Sequence, residues 1–254
     1  MLKYRIMKGR NLKEDNMFKN RVSSRVDFSL PETNGLSRSL RSLAMTKAFT
    51  LAEVLITLGI IGIVAAMTLP ALITKYQKQV TVNRLKHAYS VLSQAVKLSE
   101  VSNGSIDDWD WSAAYLNSEA LEIWLKQYMC PYMKYTEISN SDSEKTTIKI
   151  ANGTTFTFKA NSETNIHVFV QLSPKNQERN TFVFLIQKGL NNRHLVLNKS
   201  GVWPYSYSAT GIDTNTRAFW KDNTSYGCNR NGKKYLCAGL IMYDGWEIKD
   251  DYPW

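Results

Sequence analysis

Apolar and polar positions divide the chain into four stretches of different character. Residues 1–48 are polar and basic, carry turn formers such as Pro31 and Gly35, and show no sustained periodicity, which predicts an unstructured leader. Residues 49–73 are 25 almost uninterrupted apolar positions whose single charge is Glu53. As a helix they span roughly 37 Å, enough to cross a hydrocarbon core of about 30 Å. Over residues 74–104 the pattern becomes amphipathic. Tyr76, Val80, Leu85, Ala88, Leu92, Ala95 and Val96 recur at helical steps, and Lys75, Lys78, Arg84, Lys86 and Lys97 lie mostly elsewhere. No stop signal separates the two stretches, so one long helix is predicted, kinked at Pro70 and ended by Asn103-Gly104.

Residues 105–254 form the remaining body and hold all seven tryptophans. A second helix is expected over 111–129. Strands are expected over 146–150 and 154–159, joined by Asn152-Gly153 in a type I′ turn, and over 166–172, 181–187, 194–198 and 235–243. Helix first and antiparallel sheet afterwards is an α+β order.

Charge refines the picture. The chain carries a formal +10, but residues 1–48 hold 11 of its 32 basic and only 4 of its 22 acidic residues. The body is close to neutral, so a nucleic-acid partner is not expected for it. Basic residues ahead of the apolar run place that side in the cytoplasm and export the body. Met45 is a second candidate start, which leaves only Met45-Thr46-Lys47-Ala48 before the run. With the body outside the cytosol, Cys228 and Cys237, which bracket the polar loop Asn229-Arg230-Asn231-Gly232-Lys233-Lys234, read as a disulfide. Zinc would need about two further ligands, and no nearby His or Cys supplies them. Cys130 is expected as a buried free thiol.

An acid in an apolar spanning helix asks for a counter-charge. Cleavage between Ala48 and Phe49 would create one, because the new α-amino group of one subunit lies at the depth of Glu53 in a neighbour. Such a pair would set axial register. Val64-Ala65-Ala66 offers a different processing site, which would release a soluble binding protein starting at Met67. An uncleaved anchor is a third outcome. Asp107, Asp108 and Asp110 cluster, as do Asp213 and Asn215, yet neither group has the spacing of a calcium loop, and no cofactor or metal is assigned. Asp110 is expected to cap the helix near Trp111. His87, His167 and His194 have no adjacent nucleophile or carboxylate arrangement, so no catalytic residue is assigned and no enzyme is expected. The aromatic run Trp203-Pro204-Tyr205-Ser206-Tyr207 is read as core and subunit contact in preference to an adhesive surface.

The segment Lys47-Ala48-Phe49-Thr50-Leu51-Ala52-Glu53-Val54-Leu55-Ile56 resembles the N-terminal cleavage and methylation motif of type IV pilins and type II secretion pseudopilins. The resemblance implies a prepilin peptidase that cuts ahead of Phe49, methylation of Phe49, assembly guided by Glu53, and a helix kink at Pro70. The residue before the cut is usually Gly in that family and is Ala48 here; both are small, and cleavage is expected. The implied partners are the peptidase, like subunits, an inner-membrane assembly platform and membrane lipid. The implied location is the bacterial inner membrane, with leader cytoplasmic and head periplasmic, followed by a filament in which Gly59, Gly62, Ala65 and Ala66 allow close helix approach. The motif is common to adhesion and motility pili, secretion pseudopili and DNA-uptake filaments. The tail from Cys237 to Ile248, ending Asp251-Tyr252-Pro253-Trp254, is similar to the C-terminus of pilin-like proteins of some gut bacteria, and tying that region by a disulfide is a habit of the family.

Overall fold

A computed structural model of the chain describes residues 49–115, 117–173, 181–189, 199–207, 216–223 and 225–253. The first helix, α1 (Leu51–Asn103), runs 53 residues without a break, about 80 Å at the usual rise. Pro70 lies inside it and ends neither half. The loss of the Pro70 amide removes one helical bond, and the carbonyl of Pro70 itself accepts the Thr74 hydroxyl at 2.9 Å. Gly104, at φ +78°, takes the left-handed position that closes the helix, where the Asn103-Gly104 signal puts the end.

Only the second half of α1 is packed. Thr81, Val82, Leu85, Ala88, Leu92, Ala95, Val96 and Ser99 are buried at steps of three and four residues. Tyr76, expected in this stripe, is instead exposed, because the buried stripe begins more than a turn later, at Thr81.

A 3₁₀ turn (Ile106–Asp108) leads into α2 (Trp111–Tyr115) and α3 (Ser118–Tyr128). These replace the single helix expected over 111–129. Asn117 causes the change, since its backbone is extended and its side-chain oxygen accepts the Ala120 amide at 2.8 Å, starting a new helix. Trp109 stacks on Tyr128 with ring centroids 4.7 Å apart and meets Trp124 edge-on, so the two short helices share one aromatic core.

Among the described residues six strands form one antiparallel sheet in sequence order: β1 (Tyr135–Asn140), β2 (Lys145–Ile150), β3 (Thr155–Ser162), β4 (Asn165–Gln171), β5 (Thr181–Gln187) and β6 (Gly201–Pro204). Two of these carry no strand signal in the sequence. β1 is an edge strand with almost no buried position, and β6 is four residues long. The β2–β3 hairpin falls where Asn152-Gly153 predicts it, but its turn is different. Only Gly153 has positive φ (+83°), and its amide donates to the Ile150 carbonyl, giving a type I turn followed by a left-handed glycine instead of a type I′ turn. The expected strand at 194–198 lies outside the described residues.

Ile148, Phe156, Phe158, Val168, Val170, Phe182, Phe184 and Ile186 line the inner sheet face and are fully buried. Tyr89 of α1 stacks on Phe184 at 5.7 Å and touches Trp246 at 5.8 Å, joining helix, sheet and C-terminal tail. Two further helices close the chain, α4 (Arg217–Asp222) and α5 (Cys237–Tyr243). The strand expected over 235–243 is therefore a helix. A short apolar run does not distinguish the two forms, and here Leu236, Cys237, Ala238, Leu240 and Ile241 are all buried, with Gly239 against the Trp220 ring so closely that a Cβ there would lie 2.1 Å from it.

The division of α1 is testable by two leucines six residues apart. Leu92→Ala, at a fully buried site, is expected to cost about 2–5 kcal/mol. Leu98→Ala, half exposed on the opposite side, should change stability by less than about 0.5 kcal/mol in the same urea titration.

Candidate functional site

The N-terminal half of α1 presents the candidate processing and assembly residues. Ala48 lies outside the described residues. Phe49 is 83% exposed, and Glu53 is an exposed residue of the first helical turn, where the helix dipole favours a carboxylate. Leu55, Ile56, Leu58, Ile60, Ile61 and Ile63 are each exposed by more than half. A Cβ added at Gly59 or Gly62 would touch nothing. This segment is long and apolar enough to cross a membrane, and none of it is buried by the head.

At the other end of the chain Cys228 and Cys237 form the expected disulfide, with Cα atoms 4.7 Å apart. Asn229 organises the closed loop, its side-chain oxygen accepting the Gly232 amide at 2.7 Å and its amide donating to the Lys221 carbonyl at 2.8 Å. The sequence reading missed the clasp beside it. Arg217 grips Asp244 and Asp251 with two forked pairs of hydrogen bonds, all between 2.7 and 3.0 Å. Lys221 adds a bond to Asp251 and Lys249 one to Asp244. Burial alone would raise the Asp244 carboxyl, but the hydrogen bonds from Arg217 and Lys249 outweigh it and hold the group below its usual range. Arg217 is pushed up in turn by Asp251 and Asp244. The clasp joins residues 27 and 34 positions apart, which no local pattern reveals.

The carboxylates of the 107–110 cluster have structural partners. Asp107 accepts the Gly189 amide at 2.8 Å, and Asp110 accepts the Ala113 amide at 3.2 Å as the expected cap. Among the described residues no group of three or more His, Cys, Asp and Glu could hold a metal ion. Asp213, Asn215 and His194 lie outside the described residues. His87 lies within 3.3 Å of the Asn152 amide, and Cys130 is a buried free thiol that burial pushes up to about 11, so it stays protonated.

The outer sheet face carries a second feature. Strand register puts Lys145, Lys159 and His167 in one row across β2, β3 and β4, with Phe169 in the next row. Tyr205 and Tyr207 follow β6, and Tyr226 and Tyr235 come from the disulfide region; together they wall a cleft of about 670 Å³ above that row. Tyr205 meets His167 and Tyr235 edge-on, each at 5.3 Å, so it is a buried organiser of the cluster, as a core reading of the aromatic run expects. Burial, with Lys159 as a smaller cause, pushes His167 down from 6.5 to about 4, and the ring is neutral at physiological pH.

Two outcomes follow from this geometry. Between about pH 6.5 and 4 the unfolded chain binds a proton at His167 that the folded chain refuses. Stability present above pH 6.5 is therefore lost as pH falls, by up to about 3 kcal/mol from this group. His167→Gln should flatten that part of the pH dependence when urea midpoints at pH 7 and 4.5 are compared. Replacing Cys228 and Cys237 together by Ser opens a loop of sequence separation 9. Loop closure of this size is worth about 2–3 kcal/mol, and reductant should lower the wild type, but not the variant, by the same amount.

No curated protein matches the chain, and no solved structure does. One family model matches, over residues 71–254, beginning one residue after Pro70 and so leaving out the apolar half of α1. The chain belongs to that family, a family of unknown function (DUF6613).

Proposed function

We propose that this chain is a prepilin-type structural subunit, not an enzyme, inserted in the bacterial inner membrane and polymerised through the first half of α1 after cleavage between Ala48 and Phe49. The observation that carries the reading is the run from Lys47 to Ile56, with Phe49 and Glu53 four residues apart, at the head of an apolar helix that the head domain leaves uncovered. A helix with its apolar surface exposed along 20 residues needs lipid or other helices around it. Polymerisation exchanges the first for the second. The small residues Gly59, Gly62, Ala65 and Ala66 permit close approach between such helices. In this reading the freed amine of Phe49 pairs with Glu53 of the neighbouring subunit, so that each copy is held at one axial offset from the next.

The filament is a pilus or a type II secretion pseudopilus, and the peptidase, the assembly platform and like subunits are the partners. The basic residues ahead of the apolar run support a cytoplasmic leader, and the disulfide supports a periplasmic head. Nucleic acid is not a proposed partner of the mature head.

Mass spectrometry of the mature N-terminus tests the reading. The expected species starts at N-methylated Phe49. A start at Met67 would mean release by signal peptidase, and a retained leader would mean a simple anchor; either result discards the proposal. Glu53→Ala is expected to give trimmed, membrane-retained monomer and at least about tenfold fewer filaments in sheared fractions viewed by electron microscopy.

A further inference from the structure

We propose that the cleft on the outer face of the sheet binds an acidic saccharide, a sugar ring bearing one carboxylate, with Lys233 as its cation and the tyrosines as its stacking walls. The volume, about 670 Å³, is that of a site for a small ligand of one to three rings. Its chemistry combines aromatic faces, amines and an amide. Tyr226 and Tyr235 are half-buried, tilted 34° to one another, and both line the cleft. Such surfaces suit the C–H face of a sugar ring.

Charge selects the ligand further. Lys145 pairs with Asp142 at 2.7 Å and Lys159 with Glu144, but these acids are 44% and 64% exposed, and pairs so open are weak and exchangeable. Lys233 lies 5.4 Å over the Tyr226 ring and has no carboxylate partner among the described residues. Three amines against two carboxylates leave one positive charge, which suits a monoanion and not the dense charge of a nucleic-acid backbone. His167 is neutral and adds nothing to that sum.

Asn165 supplies a polar contact. It lines the cleft and is 5% exposed, and its amide donates to Ser162 Oγ at 2.9 Å. Its side-chain oxygen is buried without a donor among the described residues. A buried acceptor left unmatched is unfavourable, and it marks a polar point in the floor of the cleft.

The cleft lies on the head, so its test needs neither cleavage nor a filament and stands apart from the proposed assembly role. Calorimetric titration of the full chain in detergent would use galacturonate, glucuronate and sialyl-lactose, each carrying one carboxylate, with the methyl ester of galacturonate, UMP and tri-glutamate as comparisons. At least one acidic saccharide is expected to bind, with its neutral ester weaker by about tenfold or more. Lys233→Gln should weaken binding by about fivefold or more with an unchanged unfolding midpoint, whereas Lys134→Gln, outside the cleft, should not. Binding by none of the three saccharides, equal binding of the ester, tighter binding of UMP or tri-glutamate, or an unaffected Lys233→Gln variant would overturn the assignment. If Lys233→Gln shifts the unfolding midpoint, Lys159→Gln takes its place with the same two outcomes.

Discussion

α1 meets the head along only half its length, and the rest of the molecule is arranged around that half-contact. Leu85, Ala88, Leu92, Ala95 and Val96 form a narrow buried stripe, and the alternation of large and small side chains within it lets the helix lie close to the phenylalanines of the sheet. Tyr89 is the junction, stacked on Phe184 of β5 and against Trp246 of the tail. Apart from Lys78, which pairs with Asp250, and the half-buried Val80, the helix N-terminal to Thr81 has little such surface to lie on, and most of its side chains stand exposed. One continuous element is thus built for two surroundings: a protein core for its second half, and an apolar medium or other helices for its first.

The C-terminal region is fastened more heavily than its short helices suggest. α4 and α5 are six and seven residues long, too short to persist on their own. The disulfide, the Arg217 clasp and the close seating of Gly239 on Trp220 hold them to one another. The same fastening places Tyr226, Lys233 and Tyr235 over the outer sheet face, so the cleft is a consequence of how the tail is tied down. A neutral histidine and a half-satisfied asparagine lie at its floor.

The two ends of the molecule carry different kinds of information. Phe49 and Glu53 are four residues apart in sequence, so their relation is legible as a string. The family match, by contrast, covers the amphipathic half and the head, residues 71–254, and stops at the apolar half. The matched region is therefore the head with its packed helix. The cleft, which lies wholly within that region, draws its residues from β2, β3, β4, the segment after β6 and the disulfide loop.

Local physics was enough for much of the fold. The apolar run, the 3.6-residue stripe, the Asn103-Gly104 stop, the β2–β3 hairpin, the alternating β3 and β4 strands and the apolar run of β5 are set by neighbours within a few positions, and so is the disulfide across a nine-residue separation. Tertiary context decided the rest. It made a helix of 237–243 where an apolar run reads equally as strand, added an edge strand with no buried face, and assembled the Arg217 clasp and the tyrosine–lysine cleft. Each of these depends on which surface a segment finds to pack against, and that surface is contributed by residues tens of positions away, beyond the reach of any periodicity in the chain.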